Sequence, residues 1–314
     1  MTDTDSPTGY RDWIEYNIEA EALGFCSSFT TEHHFTGLGQ VSASLNLMTY
    51  LAAKTTTLRL GTAVMTLPWH NPVLLAEQAA TLDLVSEGRL DFGVGKGYRY
   101  NEFHGFGVDM VDADEIFEEA LALILKSWQT EERWSHTGKH WQFNEIVVEP
   151  PTVQEPHPPI WLAAGRPDSI RAAARRGAHL LLDQYSPLHA VFERAEIFRD
   201  ELRQIGVDPQ DRQIALARGL FIAKDAAEKA DVIARRTKAR DLVDQLAETP
   251  DGDNAASIMQ FKGPEEAVDG ALIGTLDEIA DRLEVIRQSG IEYVLLSNAG
   301  GGAAGLRQFS EAFI

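Results

Sequence analysis

The alternation of strands and helices in this chain is clearest in residues 58–97, LRLGTAVMTLPWHNPVLLAEQAATLDLVSEGRLDFGVGKG. Two apolar runs, at about 58–65 and 90–94, predict strands, and the segment from about 72 to 84 predicts a helix. Pro72 stands at the favourable first position of that helix. Because two strands joined by a helix of about ten residues or more pair in parallel, this stretch predicts a parallel sheet covered by helices.

The same pattern extends in both directions along the chain. Further strands are predicted at about 25–30, 160–163, 179–182, 214–223 and 293–297, and further helices at about 10–23, 42–53, 112–129, 167–176, 188–204, 226–247 and 276–289. Seven strands in one run, with no change of composition between the halves, favour an α/β (β/α)8 TIM barrel over an open sheet. We predict a single domain over residues 1–314 with insertions at about 130–159 and 248–275, the first of which could hold a small hairpin.

The start of the predicted barrel is incomplete. A barrel of this kind opens with a strand before its first helix, and no strand is predicted ahead of Tyr10. A barrel with a gap would leave unpaired strand edges exposed. We therefore expect the first strand to be missing from this chain, or its place to be filled by another segment.

The composition is that of a soluble globular protein, with 44% hydrophobic and 24% charged residues. Lys and Arg total 28 against 48 Asp and Glu, a formal charge of −20, and such a surface repels the phosphate backbone of nucleic acids. No apolar run is long enough to span a membrane, and the polar N-terminus excludes a secretory signal. The single Cys26 excludes an internal disulfide and a cysteine metal site. We predict a cytoplasmic protein with no nucleic-acid or membrane partner.

Glu32, His33 and His34 stand together at the end of a predicted strand. Each histidine could simply pack or form a hydrogen bond. A carboxylate and two imidazoles could also act as an acid–base pair or as metal ligands. No further ligand motif completes a metal site. A histidine acting as general base beside a carboxylate is the more natural interpretation, because the ordinary pKa of histidine lies near neutrality.

Two glycine-containing turns at strand ends are candidates for anion binding. Gly93–Tyr98 matches neither the nucleotide triphosphate loop nor the dinucleotide fingerprint, but it allows close approach to the backbone and offers Lys96 to an anion. Ala164–Ser169 opens a predicted helix, where the backbone N–H groups and Arg166 favour an anion. Tight-turn chemistry alone would also account for either stretch. Two such turns at the same end of the sheet favour a phosphorylated cofactor.

Taken together, these residues resemble the bacterial-luciferase-like flavin-dependent monooxygenases. The similarity covers essentially the whole chain in order. Each matching piece is weak evidence alone, but their occurrence together and in the same order is specific to the family. The pieces are EHHFT at 32–36, LGTAV at 60–64, LPWHNPV at 67–73, GRLDFGVGKG at 88–97, FHGFG at 103–107, PIWLAAG at 159–165 and GIEYV at 290–294.

The resemblance implies a (β/α)8 barrel that binds FMN at the C-terminal ends of its strands. It also implies that reduced FMN, supplied as a co-substrate by a separate flavin reductase, reacts with O2 to oxidise a small organic substrate. Trp69, Tyr98, Phe103, Gln184 and Tyr185 are pocket candidates and suggest an apolar substrate. A homodimer or heterodimer is expected from the family.

By position in the resemblance, His33 would be the active-site base beside the flavin and Glu32 a residue supporting that site. Ala63 and Val64 would form a non-proline cis peptide at a strand bulge beneath the flavin ring. Such bonds are rare and tend to occur at functional sites. Tyr98 would lie along the flavin edge.

The resemblance also assigns the phosphate of FMN to two turns. Lys96 and Gly97 in the first turn and the backbone at Gly165 and Arg166 in the second would hold it. Many members of the family have Arg where Lys96 stands and a small hydroxyl residue where Arg166 stands. The ammonium of a lysine is a point charge, whereas the guanidinium of an arginine can donate two parallel hydrogen bonds to a phosphate. In the second turn, the contact could pass to the side chain of Arg166 or to Ser169.

Three other interpretations stay open. A deazaflavin-dependent oxidoreductase of the same superfamily would move a hydride, although the EHHF and LPWHNP motifs favour FMN. A non-catalytic flavin-binding subunit is less consistent with the presence of His33. A metal-dependent hydrolase on the same barrel would contain bound zinc or manganese.

Overall fold

Apolar strands and amphipathic helices alternate in the structure as they do in the sequence. The structure is a computed structural model, and it describes residues 7–37, 41–252, 264–298 and 302–314. The described residues fall into two compact units. We call residues 26–160 the central unit, and residues 1–25 together with 161–314 the terminal unit.

The elements follow one another as short strands and longer helices. The strands are β1 Ser27–Thr30, β2 Arg59–Thr62, β3 Met65–Thr66, β4 Leu90–Gly95, β5 Trp134–Thr137, β6 Gln142–Ile146, β7 Ile160–Ala163, β8 His179–Leu182, β9 Ile214–Ile222, β10 Ala271–Gly274 and β11 Tyr293–Asn298. The helices are α1 Pro7–Ala22, α2 Ser44–Ala52, α3 Pro72–Val85, α4 Tyr100–Phe106, α5 Ala113–Gln129, α6 Pro167–Arg175, α7 Leu188–Gln204, α8 Ala226–Ala247, α9 Pro264–Asp269, α10 Leu276–Gln288 and α11 Gly302–Phe313. Among the described residues, no helix combines the length and apolar character that crossing a bilayer requires.

The central unit is built on a parallel sheet, in which β1 pairs with β2, and β2 and β3 both pair with β4. Helices α2 and α3 form the crossovers between successive strands. The side-chain oxygen of Asn71 accepts hydrogen bonds from the N–H groups of Val73 and Leu74, which satisfies donors at the start of α3. Leu60 and Phe92 on the strands are fully buried. The carboxyl ends of β1, β3 and β4 therefore carry the motifs that the sequence analysis singled out.

The central unit also contains an antiparallel hairpin of β5 and β6, which confirms the hairpin expected between residues 130 and 159. Glu119 on α5 holds the hairpin in place. Its carboxylate accepts hydrogen bonds from Nε2 of His136 at 2.9 Å and from the N–H groups of His140 at 3.0 Å and Trp141 at 3.1 Å.

The terminal unit is organised around β9, which pairs in parallel with β8, β10 and β11. Strand β7 pairs with β8. Ala215 has partners in both β8 and β11, and Gly219 has partners in both β10 and β11. Strands β8 and β10 therefore lie along one edge of β9 and β11 along the other. Helix α11 is joined to α1 by an ion pair between Arg307 and Glu19.

The predicted parallel α/β organisation is confirmed, with two kinds of difference in the elements. The strand predicted over 58–65 is divided into β2 and β3 by Ala63 and Val64, whose peptide bond is cis. The sequence analysis did not predict α4, α9 or β10, which have seven, six and four residues. The two helices are shorter than two turns and show no helical period in the sequence. Helix α9 and strand β10 lie within the predicted insertion at 248–275.

The closed barrel, the single domain over 1–314 and the missing first strand stay predictions. Residues 1–6, ahead of α1, lie outside the described residues. So do Asp253 and Asn254, in the most loop-like part of the predicted insertion, and Gly300 and Gly301 after β11.

Candidate active site

Glu32, two residues after β1, is the centre of a buried hydrogen-bond network in the central unit. One carboxylate oxygen accepts hydrogen bonds from Nε2 of His34 at 2.7 Å and Nε2 of His70 at 2.7 Å. Nε1 of Trp69 donates to the same oxygen at 3.0 Å. The other oxygen accepts from the N–H of Thr66 at 2.9 Å. One carboxylate thus joins the segment after β1 to the segment after β3.

The network keeps Glu32 ionised. Burial opposes ionisation, but the hydrogen bonds from His34 and His70, the charge of His70 and the N–H of Thr66 together lower the pKa of Glu32 to about 2. Because an ionised carboxylate can only accept hydrogen bonds, Nε2 carries the hydrogen on both imidazoles. Glu32 therefore anchors its neighbours at neutral pH and does not donate a proton.

The carboxylate that contacts His33 comes from Glu102 on α4, not from Glu32. Nδ1 of His33 donates to Oε1 of Glu102 at 2.9 Å, and the N–H of His34 donates to the same oxygen at 2.9 Å. Nη1 of Arg99 lies 3.9 Å from that oxygen, and both Arg99 and Glu102 are 2% exposed. The N–H of His33 donates to the carbonyl of Val41 at 2.8 Å. The imidazole is therefore fixed by its own backbone and by a buried carboxylate.

The electrostatics of this group favour a neutral imidazole. Burial lowers the pKa of His33 below its ordinary value, the hydrogen bond with Glu102 opposes this shift, and the charge of Arg99 adds to it. With Nδ1–H donated to a carboxylate, Nε2 of the neutral ring carries the lone pair. An imidazole in this state is able to accept a proton at neutral pH.

An aromatic cluster, defined here as His34, Phe35, Trp69, Phe103 and Phe106, lies beside these two carboxylates. The rings of Trp69 and Phe106 stack at 5.3 Å, and Phe103 meets Trp69 edge-on at 5.3 Å. His34 meets Phe106 edge-on at 4.7 Å, and Phe35 lies 4.9 Å from Phe106. Phe35 is 59% and Phe106 38% exposed. The cluster presents an apolar surface next to polar groups that are already satisfied.

The glycine turn after β4 reaches the same place. A Cβ on Gly95 would lie 2.7 Å from the side chain of Val64, so this position excludes larger residues. Gly97 has a φ of +81°, and a Cβ there would lie 2.7 Å from Thr66, 3.1 Å from Phe103 and 3.3 Å from Trp69. The structure thus brings the turn, the cis peptide at Ala63–Val64 and the network of Glu32 together in the central unit.

The charged and aromatic side chains of this turn have partners within the protein. Nζ of Lys96 donates to Oδ1 of Asp114 at 2.5 Å. The hydroxyl of half-buried Tyr98 accepts from Nε of Arg99 at 3.3 Å. Tyr98 therefore contacts Arg99 of the group around His33, whereas Lys96 is paired with α5.

The second predicted turn lies in the terminal unit. Arg166 immediately precedes α6, and both Arg166 and Ser169 are exposed. Gly165 follows β7 and is half-buried. Whether this turn and Lys96 hold one phosphate stays a prediction.

Glu102, Arg99 and His70 are the site residues that the sequence analysis missed. Glu102 stands directly before the FHGFG motif at 103–107, which the sequence analysis used only for the family resemblance. Its signal was a charged residue directly beside Phe103 in an otherwise aromatic run. In the described residues, no three His, Cys, Asp or Glu side chains are grouped so as to hold a metal ion.

Residues 1–293 match the sequence model of the luciferase-like monooxygenases. The chain belongs to this family. The resemblance stated from the motifs is therefore confirmed, and the class of enzyme with it. The match includes the network of Glu32, the His33–Glu102 pair and the glycine turn.

Three relatives place the chain within this family of luciferase-like monooxygenases. The oxygenase component of a flavin-dependent trigonelline monooxygenase from Acinetobacter baylyi is 29% identical, covering 90% of this chain and 81% of the relative. The uncharacterized protein y4vJ from Sinorhizobium fredii is 33% identical over 69% of this chain. The alkanal monooxygenase alpha chain from Photorhabdus luminescens is 28% identical over 65% of this chain. The chain spans 62% and 56% of the lengths of the last two, less than two thirds.

Solved structures agree with this family fold. Monooxygenase RslO1 from Streptomyces bottropensis is 26% identical with a TM-score of 0.85, covering 99% of this chain and 96% of that chain. Two others share the fold at lower identity. An F420-dependent secondary alcohol dehydrogenase is 20% identical, with a TM-score of 0.82 over 97% of this chain and 94% of its own. The oxygenating constituent of 3,6-diketocamphane monooxygenase from Pseudomonas putida, in complex with FMN, is 16% identical, with a TM-score of 0.81 over 99% of this chain and 94% of its own.

Proposed function

We propose that this protein is the oxygenase component of a two-component monooxygenase. It would take reduced FMN from a separate flavin reductase and use O2 to oxidise a small, largely apolar organic molecule. The observation that carries the proposal is the neutral, half-buried imidazole of His33, fixed by Glu102 at 2.9 Å beside a partly exposed aromatic cluster. The relative from Acinetobacter, an oxygenase component by name, supports the need for a reductase.

The residues of the central unit fit a flavin mononucleotide. The ammonium of Lys96 is partly exposed and could meet a phosphate, and the glycines on either side of it carry no side chain that would obstruct the approach. The peptide of Ala63 and Val64 and the ring of Tyr98 would border the isoalloxazine ring. Gly97 would contribute backbone to the phosphate site. By the family resemblance, Gly165, Arg166 and Ser169 are further candidates for contact with the phosphate.

When bound, reduced flavin would supply the two electrons that activate O2. Nε2 of His33 would accept or return a proton at the reacting face, because Nδ1–H is donated to Glu102. Glu102 would hold the ring orientation, and Arg99 would balance the charge of that carboxylate. Glu32 would support the site by fixing His34 and His70. The aromatic cluster would exclude water from the apolar part of the substrate.

The alternative cofactor is the deazaflavin F420. The F420-dependent neighbour, with a TM-score of 0.82, supports it by fold alone. It would use the same imidazole but transfer a hydride without O2. A flavin-binding subunit without catalysis is a further alternative, which the ordered His33–Glu102 pair opposes.

Anaerobic titration with FMN in both redox states and with F420 tests the proposal. We expect binding of reduced FMN and, after air is admitted with candidate apolar substrates, O2 consumption coupled to an oxygenated product. His33→Ala should abolish product formation, whereas His189→Ala, on the exposed side of α7, should not. Binding of F420 in place of FMN would change the cofactor, and unchanged turnover in His33→Ala would remove the catalytic role of His33.

A further inference from the structure

Lys96, the residue assigned to the flavin phosphate, already has an anionic partner. Its Nζ donates to Oδ1 of Asp114 at 2.5 Å. Lys96 follows β4 and Asp114 lies in the first turn of α5, so two different elements of the central unit form the pair. The side chains are 38% and 76% exposed, which leaves both accessible from solvent.

The surroundings of this pair are acidic. Asp114 lines a recess together with Glu115, Glu118, Glu119, Lys139 and His140. The ammonium of Lys139 pairs with Glu115. Glu119 is engaged by the β5–β6 hairpin. Each lysine in this region is thus matched by a carboxylate, and no net positive charge is presented to an incoming dianion.

We propose that Asp114 competes with the phosphate of the flavin for Lys96, an inference that rests on the proposed function. The carboxylate of Asp114 occupies one N–H donor of the ammonium and offsets its charge, and a dianion that approached Lys96 would also be repelled by Asp114. Because the pair is exposed, the ammonium can exchange one acceptor for the other at low cost. Asp114 is therefore a specificity residue that lowers the affinity of the protein for phosphorylated flavin.

This arrangement suits a flavin that moves between two proteins. Reduced flavin has to be captured from a reductase, and oxidised flavin has to leave after turnover. A weak phosphate contact shortens the time that the oxidised form stays bound, because affinity differences between related complexes lie mostly in the dissociation rate.

Equilibrium binding of oxidised FMN and of riboflavin, measured by flavin fluorescence at low and high salt, tests the inference. Riboflavin lacks the phosphate and so separates this contact from the rest of the site. Asp114→Asn should lower the Kd of FMN roughly two- to fivefold at low salt, with a smaller effect at high salt. The Kd of riboflavin should not change. In a Lys96→Met background the same substitution should have a smaller effect on FMN.

Glu118→Gln is the matched control, since it removes one negative charge from the same recess one helical turn along α5. It should change the Kd of FMN less than Asp114→Asn does. An unchanged Kd of FMN in Asp114→Asn, or an equal change for riboflavin, would overturn the inference and leave the proposed function standing. Wild-type protein that binds neither flavin in either redox state would overturn both.

Discussion

Nδ1 of His33 lies 2.9 Å from a carboxylate oxygen of Glu102, although 69 positions separate the two residues in the chain. The contact joins the segment after β1 to the short helix after β4. Glu102 also accepts the N–H of His34, so one carboxylate fixes both the ring and the backbone of this turn. The orientation of His33 therefore depends on a residue outside its own motif.

Glu102→Gln should lower the pKa of His33 further, because the hydrogen bond and charge of Glu102 are what raise it against burial. An NMR titration of the histidine ring signals measures this directly. Glu119→Gln, which removes the carboxylate beside His136 and leaves Glu102 in place, is the matched control and should not change the pKa of His33. We also expect a loss of about 1–3 kcal/mol of stability, since Arg99 would lose its buried counter-charge. A raised pKa for His33 would contradict this account.

Glu32→Gln should change stability in a pH-dependent way. The folded-state pKa of Glu32 is lowered to about 2 from 4.5, so the stabilisation is complete above pH 4.5 and is lost as the pH falls toward 2. At neutral pH, Glu32→Gln should therefore lower the free energy of unfolding by on the order of 3 kcal/mol. Urea unfolding of wild type and variant at several pH values should show the gap closing in acid.

Glu284→Gln provides a control for that experiment. Hydrogen bonds from Arg287 and Gln288 also lower the pKa of Glu284, but the side chain lies at the surface, where water and salt weaken these contacts. We expect Glu284→Gln to leave the unfolding midpoint nearly unchanged at every pH. Equal effects of the two substitutions would show that burial of Glu32 is not the cause.

Much of the fold could be predicted from local patterns, and the site only in part. The bounds of β7, β8 and α8 follow from apolar runs and helical period, which are properties of neighbouring residues. His33 and Glu32 stand out because they end a strand together. The partner of His33 could not be predicted, because the seven-residue helix that carries Glu102 is too short to show a period. Strand β10, with four residues like β7 and β8, was missed because it lies in the stretch 248–275 that was predicted to be an insertion.

Contacts between distant segments are the other limit of the sequence analysis. The motif LPWHNPV at 67–73 contains Trp69 and His70, but nothing in it indicates that both donate to Glu32. The structure confirms the cis peptide at Ala63–Val64, which was predicted only from the family resemblance. Its position beneath a flavin stays a prediction.

Arg218→Lys should destabilise the terminal unit by about 2 kcal/mol or more. Arg218 is fully buried, and burial lowers its pKa to about 10 against the opposing charge of Asp183, so it stays charged at neutral pH. Its two terminal nitrogens donate to the carbonyls of Asp183, Ser186 and Ala217, which a lysine cannot contact with the same fork. Arg175→Lys, in a partly exposed pair with Glu201, is the control and should cost much less in chemical unfolding.

Gly95→Ala tests whether the close approach of the glycine turn to Val64 is required. The new Cβ would lie 2.7 Å from Cγ2 of Val64, which forces a shift, and overpacking of this kind costs about 1–3 kcal/mol. Val64→Ala removes the obstructing methyl groups. The double variant should therefore be more stable than the sum of the two single changes predicts, when all four proteins are unfolded in urea. Strict additivity would mean that the two side chains do not meet, and the arrangement of the glycine turn described here would be wrong.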